Sequence, residues 1–151
     1  MRRPYEVPET RQRDIPEWVM YHIPSFDPAH SWSVYRTGNS TTLRTIRWDQ
    51  RADGRRIFGA MSGATPPWPA PTLVQTSSEI DTAWWDLALS EFAGIRIPLA
   101  TRRVAGGDEE TYGIHRPKEF DVEWRSAGPI EWTDVARWAR GCMARFRAGS
   151  G

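Results

Sequence analysis

The chain has 151 residues, 39% of them hydrophobic and 26% charged, with 20 basic side chains set against 19 acidic ones. A chain of this length buries roughly 68–70% of the surface its unfolded form exposes, enough for one core and one domain. Collagen-like, disulfide-stapled and wholly disordered chains are excluded, and a formal net charge of +1 gives little field to draw in nucleic acid or an anionic membrane. Half of the aromatic side chains are tryptophan, and every basic residue except Lys118 is arginine. Cys142 stands alone, which rules out an internal disulfide and a cysteine-rich zinc site. No apolar run approaches the roughly 20 residues that cross a bilayer. Met1 to Glu9 carries positive charge without an apolar stretch behind it, unlike a secretory signal, so the expected compartment is the cytoplasm.

Residues 1–17, punctuated by Pro4, Pro8 and Pro16, read as an extended arm. Trp18 to Ile23 is a continuous apolar run, the mark of a strand covered on both faces. Pro24 to Ser31 reads as a loop. Trp32 to Arg36 and Thr41 to Trp48 then alternate across Thr37-Gly38-Asn39-Ser40, which predicts a β-hairpin. Asp49 can cap a short helical turn over Arg51–Ile57, weakened by Gly54, and Gly59 to Pro71 reads as a long loop stiffened by Pro66-Pro67-Trp68-Pro69. Thr72 to Thr76 suggests a short edge strand.

Ser78 and Asp81 have the spacing of a capping box ahead of a helix over about 80–93, whose apolar face is Trp85, Ala88, Leu89 and Phe92, widened by Trp84 and Leu87. Gly94 has the form of a Schellman stop. Thr101 to Val104 and Thr111 to Arg116 suggest a second hairpin around Gly106 to Glu110. Phe120, Val122 and Trp124 alternate with Asp121, Glu123 and Arg125, the cleanest strand pattern in the chain. Trp132, Val135, Ala136, Ala139, Cys142, Met143 and Phe146 form one stripe, which predicts a helix over 130–147. The expected fold is α+β: an antiparallel sheet of about five or six strands in two hairpin groups, with two main helices on one face. Residues 18–147 form the single domain and 148–151 a flexible tail.

The chemical signals are few. His22, His30 and His115 are scattered without metal-ligand spacing, so no metal or cofactor is expected. Cys142 lies on the apolar stripe, where a thiol is inert. Ser62-Gly63 lacks the strand-to-helix setting of a nucleophile elbow, and Gly106-Gly107 is followed by acids that repel phosphate. Arg36, Arg44, Arg47, Arg102, Arg103 and Arg116, interleaved with Trp32, Trp48, Tyr35 and Tyr112, have the composition of a single-strand nucleic-acid binder. The near-zero net charge disfavours that reading. Arg137, Arg140 and Arg147 read as a solvated band on the last helix.

The Gly106-Gly107-Asp108 turn, Thr111 to Ile114, Phe120 to Arg125 and the Gly128-Pro129-Ile130-Glu131-Trp132 entry to the last helix resemble the ending of small bacterial immunity-like proteins encoded beside polymorphic toxins. The likeness lies mainly in residues 106–147; the Trp48-Asp49 exit and the Ile80-Asp81 helix entry are similar in style. It implies a small α+β domain that acts by binding a protein, a cognate toxin, and it brings no catalytic residues. The expected function is therefore non-enzymatic occlusion of a toxin surface. The expected anchors are Trp68 in the proline-rich loop, Trp84 on the flank of the first main helix, and the acidic tip Asp108, Glu109 and Glu110. Two other classes stay open: a ligand-binding or enzymatic domain with an aromatic cleft under the 59–71 loop, and a subunit of a larger assembly.

Overall fold

A computed structural model describes residues 15–25, 27–61, 70–98, 110–126 and 128–149. Its elements are β1 (Trp18–Ile23), β2 (Ala29–Thr37), β3 (Ser40–Trp48), α1 (Gln50–Met61), β4 (Leu73–Ile80), α2 (Thr82–Ala93), β5 (Thr111–Arg116), β6 (Phe120–Arg125), a 3₁₀ turn (Ile130–Trp132) and α3 (Thr133–Ala148). The six strands form one antiparallel sheet in the order β4-β3-β2-β1-β5-β6. The first four strands run as a meander outward from β1, and β5 then joins on the other side of β1. The α+β class and the antiparallel sheet are as the sequence predicts.

The β2–β3 hairpin closes through Gly38 and Asn39, with Thr37 opposite Ser40. Gly38 has φ +59°, at the first central position of a two-residue loop, where left-handed backbone suits glycine. On the helix-covered face, Trp18, Met20, Trp32, Val34, Leu43, Ile114 and Trp124 pack against Trp85 and Ala88 of α2 and the buried stripe of α3. Trp18 is the hub. Its ring meets Phe92 at 4.8 Å, Phe120 at 5.2 Å, Trp138 at 5.4 Å and Trp85 at 6.3 Å, mostly edge to face, as ring quadrupoles favour. The two helices are pinned where the Trp138 indole N–H donates to the Ala88 carbonyl at 2.8 Å.

The opposite face of the sheet holds a second contact of consequence. Tyr21, 1% exposed, lies across Gly113 of the neighbouring strand, and its hydroxyl donates to Glu123 Oε2 at 2.6 Å, one strand further on. A Cβ at position 113 would sit 2.0 Å from Tyr21 Cζ, so the glycine is what lets the ring lie flat. The burial of Tyr21 here and of Trp18 and Met20 on the other face explains the continuous apolar pattern of β1.

Several expectations are corrected. The helix after Asp49 runs to Met61, through Gly54 and into the span expected to be loop. Asp53 holds it: buried, it accepts from the Trp48 indole N–H at 2.8 Å and the Thr72 backbone N–H at 2.6 Å, tying α1 to the end of β3 and to the residue just before β4. The edge strand is eight residues long and absorbs Ser78, so Ser78 caps nothing. Asp81 caps α2 alone, accepting from Ala83 N at 2.9 Å and Trp84 N at 3.3 Å. Gly94 is right-handed at φ −82°, and its N–H closes a tighter turn onto Glu91 at 3.1 Å rather than a Schellman motif. Leu87 is 59% exposed, outside the buried face of α2. The hairpin of β5 is with β6, and the expected strand 101–104 lies outside the described residues.

Candidate functional site

Between α2 and α3 lies an open groove of about 960 Å³. Trp84, Ala88 and Glu91 line it from α2, one helical turn apart, because residues spaced by three or four share a helix face. Trp138, Cys142 and Arg145 face them from α3. Small residues at Ala88 and Gly141 give it depth. The half-buried Trp84 ring stands edge-on to Phe146 at 5.7 Å, and the Arg145 guanidinium lies 4.4 Å above it. This cation–π contact fixes both side chains at the lip. Arg96 and Arg137 add positive charge to the rim, and Arg137 bonds Asp134 at 3.0 Å. The Cys142 thiol has a pKa pushed up to about 12 by burial and by nearby Glu91, so it is present as the unreactive thiol.

A second cluster joins the end of α3 to the sheet. His22 and His30 sit opposite each other in the β1–β2 register. Arg147 donates to His22 Nδ1 at 2.6 Å, and the second ring nitrogen, Nε2, lies 3.3 Å from Glu110 Oε2. A guanidinium only donates, so Nδ1 must accept, and the neutral ring carries its proton on Nε2 and gives it to Glu110. Burial and then Arg147 lower the His22 pKa, against the opposing pull of Glu110; His30 is lowered by burial and Arg147 as well. The Tyr112 hydroxyl donates to Glu110 at 2.5 Å, which is the main reason that carboxyl titrates below its ordinary range. The Tyr112 ring stacks on His22 at 4.5 Å and lies under Arg140 at 4.9 Å. Arg147 also covers Trp32 at 5.3 Å. Both His22 nitrogens are thus committed, and the cluster acts as a latch for the last turn of α3.

Among the expected anchors, Trp84 lines the groove. Glu110 is half-exposed and belongs to the latch, bonded to Tyr112 and His22. Trp68, Asp108 and Glu109 lie outside the described residues. Arg140 and Arg147 are not an idle band, since Arg140 also donates to the Ser126 carbonyl at 2.7 Å. The sequence reading missed Arg145 as the cap on Trp84, and it missed the His22–His30 pair. Among the described residues, no three or more His, Cys, Asp or Glu side chains gather to hold a metal ion, and no helix is long and apolar enough to cross a membrane. Set against known proteins, the chain matches no family model, no curated protein sequence and no solved structure.

Proposed function

We propose that this chain is a non-enzymatic protein-binding domain of the immunity type, which neutralises a cognate bacterial toxin by covering part of its surface, and that the α2/α3 groove receives the toxin. The observation that carries this reading is the groove itself: a fixed tryptophan at its lip, an apolar floor and a rim with more arginine than carboxylate. Binding energy at protein interfaces concentrates in desolvated tryptophan and arginine set inside a polar rim. Leu87, exposed on α2, extends the apolar surface beyond the groove. The rim suits a partner segment that offers an apolar side chain flanked by carboxylates. The buried, protonated Cys142 thiol and the doubly committed His22 support a binding role over a catalytic one.

The test is co-expression with the product of the open reading frame beside this chain's own. A one-to-one complex that survives gel filtration, and that Arg145→Glu or Leu87→Asp disrupts while circular dichroism is unchanged, supports the reading. A mixture that elutes as two separate proteins contradicts it.

A further inference from the structure

The two edges of the sheet are built differently. β6 is six residues long and carries Asp121, Glu123 and Arg125, the charges that keep an edge from adding strands. β4 spans eight residues, pairs with β3 in an unbroken register from Leu73 to Ile80, and contains one charge, Glu79, with no lysine or proline. Its Val74 is 53% exposed, and Gln75, Thr76 and Ser77 are exposed too. Among the described residues β4 pairs with β3 alone, and a regular edge of this kind is a template for another strand.

We propose that the occupant is the β4 of a second copy, so that two sheets join through an antiparallel β4–β4 seam. A two-fold axis normal to the sheet keeps each face on its own side, so residues that pair must share a face and one residue must lie on the axis. With Ser77 on the axis, Val74 meets Ile80 of the second copy, Gln75 meets Glu79, and Thr76 meets Ser78. This register buries the exposed valine on the helix-side face, gives the carboxylate an amide partner on the other, and never sets Glu79 against its own copy. Placing Thr76 on the axis would set Glu79 against Leu73, and placing Ser78 there would leave Val74 without a partner. A ladder of seven residues from each copy lies at the small end of stable interfaces, so the dimer is one that dissociates on dilution. The groove-lining residues lie on α2, on α3 and just after α2, and none belongs to β4.

Sedimentation velocity of the full chain over a dilution series tests the seam. The proposal predicts a dimer at high micromolar concentration that dissociates on dilution. Ser77→Lys and Ser77→Glu, each placing like charges across the axis, should be monomeric throughout with native circular dichroism. Their equimolar mixture should regain the dimer as a heterodimer, with at least tenfold tighter association than either variant alone. Should one variant fail to fold, the other alone still carries the test of the axis. A wild-type chain that stays monomeric overturns the proposal, as does a dimer that either substitution leaves intact, or a mixture of folded variants that remains monomeric.

Discussion

Gly113→Ala is the substitution whose cost the structure sets most directly. The added Cβ would lie 2.0, 2.2 and 2.4 Å from Tyr21 Cζ, Cε1 and the hydroxyl oxygen, where non-bonded carbon atoms prefer roughly 3.5–4.0 Å. The ring must therefore move by more than an ångström. Overpacking of this kind costs about 1–3 kcal/mol. The shift also takes the hydroxyl away from Glu123, now 2.6 Å away, a hydrogen bond to a charged group worth about 1.5–3 kcal/mol. Alanine returns roughly 0.5–1 kcal/mol through the unfolded chain, which leaves a net loss of about 2–5 kcal/mol. Urea unfolding at neutral pH measures it. The same substitution in a Tyr21→Val background should cost less than about 1 kcal/mol, because the clash partner is gone, and the difference is a coupling energy between the two sites. A loss below about 0.5 kcal/mol in the native background, or an equal loss in both, would refute the account of Gly113.

Trp138→Phe removes the indole donor and leaves the buried Ala88 carbonyl short of a partner, so it should cost about 1–3 kcal/mol in the same unfolding assay. His22 and His30 both titrate below their unfolded value of about 6.5. The unfolded chain therefore binds more protons in the window just below that value, and stability present at pH 8 should fall as the pH drops through it. His22→Gln should flatten that slope, and a slope unchanged by the substitution would contradict the latch. Asp53→Ala should lower stability by about 1–3 kcal/mol by orphaning the Trp48 indole and the Thr72 N–H, with hydrogen exchange quickening first in α1 and at the start of β4.

The elements legible in the sequence are those whose stability is written locally. Phe120, Val122 and Trp124 alternate because β6 has one covered face, and the α3 stripe recurs at helical spacing because one side of that helix is core. Ser77, Ser78 and Glu79 show no such alternation. They are strand because β3 pairs with them along its whole length, a non-local cause that strand propensity does not report. The run of α1 past Gly54 likewise depends on the Asp53 contacts with Trp48 and Thr72. Of the groove, the sequence shows only Trp84 on the flank and Ala88 on the apolar face of α2, while Glu91 reads as facing solvent. Arg145, which completes the site, comes from a helix about sixty residues later and is placed only by packing. Glu110 and Tyr112 alternate along one strand face, a hint that they act together, but their meeting with His22 needs the insertion of β5 beside β1. Of the nine tryptophans, Trp18, Trp32, Trp85, Trp124 and Trp138 are buried in the core.

The central claim is that the α2/α3 groove is a protein-binding site centred on Trp84. Isothermal titration of the purified product of the adjacent reading frame into this chain, and into Trp84→Ala and Arg145→Glu variants of confirmed native fold, tests it most directly. The account predicts one-to-one binding that each substitution weakens by at least about thirtyfold, the scale of a hot-spot residue. Binding of equal strength to all three proteins, or no binding to any, would contradict it.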